Sequence, residues 1–359
     1  MQQFLQFAIF AALGQFLLAA FILVRDLGKQ RLGQAMFLLW LSAASYLICS
    51  DKSLLGQTGA FGFVLALGSI SVPIWLWVTA QTLFIDGFRL NYRHVLSIGA
   101  LLVVGYFNVL VSDFSGAPVL TSTPPDLFTF TRPAQQFLNI GFMISAFYTA
   151  YRGRTDDLVD GRREFRLYFV ALGGCGAVVL ALVELWLDPS EVMGFHRWAG
   201  PPLVLVMGTW MGYWLLAVDG STVLAELSQD PPAVPETQIN PADQAAHRRL
   251  VEAIEGQFLY REHGLTIASL ADRIEVPEHH LRRLINKGLG FRNFAAFLNS
   301  YRLKDVVQAF GDPEQAGVPI LTIALDSGFQ SIATFNRAFR QAYEVTPTDF
   351  RKQALKTAQ

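Results

Sequence analysis

Residues 320–340, ILTIALDSGFQSIATFNRAFR, contain the pattern from which the fold of the carboxyl-terminal third of the chain can be predicted. The run from Ile320 to Ser327 has the apolar spacing of a short helix, in which Ala324 is small enough for close helix contact. Four residues later, Gly328 can adopt the left-handed conformation that turns the chain. The run from Ser331 to Arg340 predicts a second helix, so the stretch indicates a helix-turn-helix motif.

The same pattern occurs earlier, in residues 265–287, LTIASLADRIEVPEHHLRRLINK. A shift of 53 residues places Leu270 on Ile323, and a shift of 54 residues places Leu281 on Phe335. Self-similarity at a fixed distance indicates a repeated supersecondary structure. We therefore expect two helix-turn-helix motifs, and the spacing of Phe294, Phe297, Leu298 and Tyr301 predicts a long helix that joins them.

The first motif has two local peculiarities. Glu275 occupies the position that Gly328 has in the second motif, and a left-handed glutamate costs about 1 kcal/mol. Pro277 suits the first position of the following helix, whose outer face carries His279 and three further polar or basic residues. A basic face after a tight turn between helices is the arrangement that a reader of the DNA major groove needs.

The rest of the chain has a different composition. Of 359 residues, 52% are apolar and 16% charged, the mean hydropathy is +0.34, and soluble proteins average about 25% charged residues. Net charge is +1 over residues 1–218, −5 over 219–243 and +3 over 244–359. These values exclude a fully soluble, disordered or disulfide-rich secreted protein, and they predict a membrane domain joined to a soluble one.

The first domain, residues 1–218, contains apolar stretches long enough to cross a bilayer. The third stretch is too short for two spans, so we predict one long span that is either tilted or kinked at Pro73. The seven predicted spans are 3–24, 33–50, 58–85, 95–112, 133–150, 167–187 and 200–218.

Charges in the connecting loops predict the orientation. Ten Lys and Arg residues lie in the first, third and fifth loops, and three lie in the even-numbered loops. The positive-inside rule therefore places the odd-numbered loops in the cytoplasm, with the amino terminus outside and the carboxyl terminus inside. Residues 219–243 are acidic and contain four prolines, which predicts a semi-rigid tether between the domains.

Residues 244–355 resemble the DNA-binding domain of the AraC/XylS family of bacterial transcription regulators. The matching residues are Leu270-Ala271, His280-Leu281-x-Arg283-Leu284, Gly290, Arg302-Leu303, Ile323-Ala324-x3-Gly328-Phe329, Phe335-x-Arg337-x-Phe339 and Thr346-Pro347-x-Asp349-Phe350-Arg351. The sequence departs from the family pattern at Glu275, Pro277 and Val306 and in a longer 311–319 loop. The departures affect the detail of the first motif and leave the resemblance of the second intact.

The resemblance implies which side chains contact DNA. The second helix of each motif is the recognition helix, which lies in a major groove. For the first motif the contact residues are His279, Arg282, Arg283 and Asn286. For the second they are Ala333, Thr334, Asn336 and Arg337, with Gln330, Ser331 and Arg340 placed for phosphates or flanking bases. Arg302 lies on the connecting helix, and we expect a structural role for it.

One carboxylate, Glu184, falls inside a predicted span, close to the outer surface and to His196 and Arg197. An ionisable group at membrane depth often marks a functional site, so these residues are candidates for sensing a ligand or a proton. A carboxylate at the interface that pairs with Arg197 explains the same pattern. We expect a signal to pass through residues 219–243.

The predicted fold is all-α, a polytopic seven-helix transmembrane bundle followed by a soluble AraC-type domain with two helix-turn-helix motifs. The predicted function is a one-component regulator in the bacterial inner membrane that binds promoter DNA in the cytoplasm under a small-molecule or membrane signal. RNA polymerase and a second copy of the chain are further candidate partners, besides the lipid bilayer. A transporter with a DNA-binding tail, or an anchor without sensing, remains an alternative.

Enzymatic chemistry has no support in the sequence. The sequence contains no GxSxG, HExxH, P-loop or dinucleotide-binding motif, so we predict no catalytic residue and no cofactor. Cys49 and Cys175 lie in apolar stretches and fit no metal-ligand spacing, which favours packing over metal binding.

Overall fold

The computed structural model describes residues 2–28, 30–51, 54, 58–111, 125–173, 176, 189–216 and 243–357. Over these ranges the secondary structure is helical, which confirms the predicted all-α class. An isolated antiparallel bridge between Asp157 and Asn293 is the one β pairing found in the described ranges.

The chain forms two compact units whose boundaries differ from the predicted domains. The apolar unit falls within Met1–Arg154 and Glu164–Gln229, and the carboxyl-terminal unit within Thr155–Arg163 and Asp230–Gln359. Thr155–Arg163, which we call the 155–163 segment, comes from the fifth predicted loop. The carboxyl-terminal unit is therefore built from two separate parts of the chain.

In the described residues, the apolar unit consists of helices of 9 to 28 residues: α1 (Gln2–Leu27), α2 (Arg31–Ser50), α3 (Gly62–Ile70), α4 (Val72–Phe84), α5 (Tyr92–Val111), α6 (Pro125–Arg152), α7 (Asp160–Tyr168) and α8 (Pro189–Leu216). Helix α7 begins in the 155–163 segment, continues into the apolar unit and is followed by a π-helical turn at Phe169–Gly173.

Three of these helices, α1, α2 and α5, are long and apolar enough to cross a membrane, among the residues described. The bent pair of α3 and α4 makes a fourth candidate if it is one span. The predicted count of seven is not confirmed: α6 and α8, each 28 residues long, are not among these candidates, and most of the predicted span 167–187 lies outside the described residues.

The kink predicted at Pro73 is confirmed. Helices α3 and α4 meet at Ser71 and are bent by 47°. Proline lacks an N–H group and its ring displaces the carbonyl four residues earlier, so the helical hydrogen bonds are interrupted there. The Ser71 hydroxyl donates to the Gly68 carbonyl at 2.7 Å and lies 2.9 Å from the Ser42 hydroxyl of α2, which stabilises the break.

Polar side chains tie the helices of the apolar unit together. The Trp77 indole of α4 donates to Ser145 of α6 at 3.0 Å, and Gln81 donates to Thr149 one turn further on. Buried Arg166 of α7 donates to the Phe84 carbonyl at 2.8 Å and to carbonyls near the end of α6. A cation at helix carboxyl termini is favourable, because the helix dipole is negative there.

The carboxyl-terminal unit has seven further helices in its described residues. They are α9 (Gln244–Val251), α10 (Ile267–Arg273), α11 (Glu278–Arg283), α12 (Phe294–Gly311), α13 (Ile320–Asp326), α14 (Ile332–Tyr343) and α15 (Pro347–Thr357). Helix α12 belongs to two hydrophobic cores, because Phe294, Phe297 and Leu298 pack in one and Leu303, Val306 and Phe310 in the other. The prediction of one long helix that joins two motifs is confirmed.

Candidate nucleic-acid interface

The second helix-turn-helix motif is formed by α13 and α14. Gly328 lies between them with φ +96°, a conformation that favours glycine. A Cβ on Gly328 would lie 2.7 to 2.8 Å from backbone atoms of Tyr260 and Arg261, so the turn also packs closely against the preceding part of the unit. Helix α14 begins after Ser331, whose hydroxyl accepts from the Thr334 N–H at 3.2 Å.

Helix α14 has an apolar side and a polar side. Phe335 and Phe339 are fully buried, which orients the opposite side of the helix toward solvent. Of the seven predicted contact residues of this motif, Asn336 is half-buried and the other six are exposed. The exposed six are Gln330, Ser331, Ala333, Thr334, Arg337 and Arg340. In the described part of the chain, the side chains of Arg337 and Arg340 form no hydrogen bond or ion pair.

The first motif is formed by α10 and α11, the latter extended by a π-helical turn at Leu284–Gly288. Thr266 and Ser269 form a reciprocal capping box at the start of α10. Glu275 has φ +52°, which confirms the left-handed conformation expected there. The Arg249 guanidinium donates to the carbonyls of Ile274 at 3.2 Å and Glu275 at 3.1 Å, which holds the turn.

The predicted contact residues of the first motif differ in their surroundings. His279 is exposed, Asn286 is half-buried, and half-exposed Arg283 forms an ion pair with Asp243 at 3.1 Å. Arg282 is only 6% exposed, and its guanidinium donates to Glu278 and to carbonyls of the 155–163 segment. In this structure, therefore, Arg282 does not face solvent as the helical pattern predicted.

Contacts around Tyr260 join the two motifs. Arg302 of α12 donates to the Tyr260 carbonyl at 2.6 Å and to the Glu262 carbonyl at 3.2 Å, which confirms its expected structural role. The Tyr260 hydroxyl donates to Asp305, and burial together with this hydrogen bond raises the pKa of Tyr260 to about 12. Because Gly328 packs on the same backbone, the second motif is held against the first.

For the candidate sensing residues, no side chain is among those that the structure describes. Glu184 lies outside the described residues, and His196 and Arg197 fall in α8 with only their backbone described.

Comparison with known proteins identifies the carboxyl-terminal unit. The sequence model of a family described as "Helix-turn-helix domain" matches residues 270–353, which include all the predicted DNA-contact residues. A relative, "Probable transcription factor PqrA" of Proteus vulgaris, is 32% identical over 96 residues, which is 26% of this chain and 74% of the relative. The chain belongs to the AraC-type helix-turn-helix family. No solved structure matches it.

As an AraC-type protein, the chain is a DNA-binding transcription regulator. Sequence patterns identified both AraC-type motifs but missed the 155–163 segment, which lies outside the residues that the family model matches. One signal was present, because Leu158 and Val159 form an apolar pair inside an otherwise charged loop.

Proposed function

We propose that the chain is a membrane-embedded, one-component regulator that binds promoter DNA sequence-specifically, with α14 as its main recognition helix. The observation that carries this proposal is Arg337. It lies opposite the buried Phe335 and Phe339, it is exposed, and no described residue neutralises it. Arginine is the commonest bidentate partner of guanine in the major groove, and an unpaired guanidinium is ready to take that role.

The two recognition helices are not equivalent in available charge. Of the arginines predicted to contact DNA in the first motif, Arg282 is buried and Arg283 is paired with Asp243. In the second motif, Arg337 and Arg340 are both exposed. Base contacts require free donors, so we infer that the second motif supplies most of the sequence discrimination and that the first contributes mainly through His279 and Asn286.

Membrane embedding is supported by the outer surface of α1. Its inner side packs Ile9, Phe16 and Leu23 into the apolar core, while Phe7, Leu17 and Phe21 are each 65–74% exposed. A helix that is apolar on all sides is stable where its outer side faces hydrocarbon. The bias of Lys and Arg toward the odd-numbered loops supports a cytoplasmic carboxyl-terminal unit with access to DNA.

The test is genome-wide mapping of the DNA bound by the full chain in its own host, followed by measurement of affinity for the recovered sites. Changing Arg337 to Ala should weaken binding by about 1–3 kcal/mol and relax specificity at one base pair. The matched control is Lys352→Ala, which removes one exposed charge from α15. Any loss of affinity in this control should be the same for all DNA sequences.

Affinity should also fall steeply with salt concentration, because neutralising phosphates releases condensed counterions. If Arg337→Ala weakens binding to all DNA sequences equally, as the lysine control does, then Arg337 contacts phosphate. In that case α14 is not the main helix that reads bases. If the full chain recovers no defined set of sites, sequence-specific regulation by this chain is refuted.

A further inference from the structure

The 155–163 segment lies against the first helix-turn-helix motif and pairs with the chain just before α12. The Leu158 N–H donates to the Arg292 carbonyl at 3.0 Å, and the Phe294 N–H donates to the Asp156 carbonyl at 2.8 Å. Between these two bonds, Asp157 and Asn293 form the antiparallel bridge. The segment therefore docks through backbone pairing, which requires a defined register.

Side chains of the segment complete the interior of the motif. Leu158 is 2% exposed and belongs to the same hydrophobic core as Leu281, Leu284 and Phe294. Within the segment, the Asp157 carboxylate and the Arg162 guanidinium form a buried ion pair at 2.7 Å. Buried charges are tolerated only when they are paired and hydrogen-bonded, so this pair fixes the shape of the segment.

Arg282 is the residue of the recognition helix that holds the segment. Its guanidinium donates to the Asp157 carbonyl at 2.8 Å, to the Thr155 carbonyl at 3.1 Å and to the Glu278 carboxylate at 2.7 Å. All three guanidinium nitrogens are therefore engaged. A base contact by Arg282 would require it to leave these three acceptors, two of which are backbone carbonyls of the segment.

The segment is connected at both ends to helices of the apolar unit. Helix α6 ends at Arg152, three residues before Thr155. Helix α7 carries Arg162, which is buried in the docked segment, and Arg166, which is buried among carbonyls of the apolar unit. The connections are short, whereas the predicted tether 219–243 is long and interrupted by prolines.

We propose that the 155–163 segment docks on the first helix-turn-helix motif, and that Arg282 binds this segment and does not contact a base. Docking of the segment and DNA binding are then linked. The proposal rests on the proposed function, since it concerns how the same DNA-binding unit is organised. Docking holds α11 in place, so loss of the segment weakens DNA binding without changing the bases that are preferred.

The experiment is a double-mutant cycle on the full chain in lipid nanodiscs, with a DNA site recovered by genome-wide mapping as the probe. Leu158→Ala and Arg282→Ala should each weaken binding about tenfold. Both changes release the same docked segment. The double variant should therefore also bind DNA about tenfold more weakly, and not about a hundredfold more weakly. The matched control is Leu298→Ala, a buried leucine of the same core outside the segment, whose effect should add to that of Arg282→Ala.

A milder variant covers the case in which alanine disrupts folding. Arg282→Lys keeps the positive charge but cannot donate to all three acceptors in the same geometry. A phosphate contact would survive this change, whereas a docking contact would be weakened as in Arg282→Ala. Hydrogen exchange of the full chain supplies a second readout, because linkage is reciprocal: bound DNA should slow exchange at the amides of 155–163.

Three results would overturn the proposal: additive effects of Leu158→Ala and Arg282→Ala, relaxed specificity at one base pair in Arg282→Ala, or exchange in 155–163 that DNA leaves unchanged. In each case Arg337→Ala would still relax specificity if the proposed function holds. A parent chain that recovers no defined sites would instead refute the proposed function, and this inference with it.

Discussion

Changing Gly328 to Ala should selectively destabilise the second helix-turn-helix motif. Gly328 has φ +96°, where a residue with a Cβ is strained by about 1–2 kcal/mol. The added Cβ would lie 2.7 Å from the Arg261 Cα and 2.8 Å from two carbonyl oxygens. These are backbone atoms and cannot rotate away, so the turn must shift, at a cost of about 1–3 kcal/mol.

Alanine also restricts the unfolded chain, which returns about 0.4–1 kcal/mol of stability. The net expectation is a loss of about 1–4.5 kcal/mol in the free energy of opening of α13 and α14, from the terms above. Hydrogen exchange followed by mass spectrometry on the full chain is the suitable assay, because it reports local opening. A single global unfolding transition is not well defined for a chain with two units.

The control is Gly317→Ala. No atom lies within 4 Å of a Cβ built on Gly317, and its φ is not positive, so this change should be neutral or slightly stabilising. In Gly328→Ala, amides of 320–343 should exchange faster, while those of α10 and α11 should change less. If Gly328→Ala changes the opening free energy by less than about 1 kcal/mol, or no more than the control, the argument from the turn is wrong.

The corresponding change in the first motif should raise stability. Glu275→Gly should relieve left-handed strain at φ +52° and stabilise α10 and α11 by about 0.5–1 kcal/mol. Faster hydrogen exchange in these two helices would contradict the strain argument. A phosphatase reporter fused after Asp188 should be active and one fused after Arg166 inactive, whereas the reverse pattern would place the carboxyl-terminal unit outside the cell. If Glu184 senses a ligand or proton, Glu184→Gln should lock promoter output in one state at unchanged protein level, and an intact response to growth conditions would exclude that role.

The motif repeat was predictable because its signals are local. Gly328 marks a turn by its conformational freedom, and the phenylalanines four residues apart in α14 define a buried side from helix geometry alone. The kink at Pro73 follows from the missing N–H group of one residue. Membrane spans were less predictable, because length and hydropathy identify apolar helices but do not count the spans of a bundle in which α6 and α8 carry polar residues.

The two AraC-type motifs, the helix that joins them and the outward position of Arg337 on α14 all follow from sequence patterns alone. The position of Arg282, in contrast, depends on contacts with a distant part of the chain. Helical periodicity places Arg282 beside His279 and Asn286 on the outer face, and that is where an isolated helix would leave it. Its partners Thr155 and Asp157 lie more than 120 residues earlier in the chain. Two backbone carbonyls accept its hydrogen bonds, and every residue has a carbonyl, so no residue pattern in either stretch specifies the pairing.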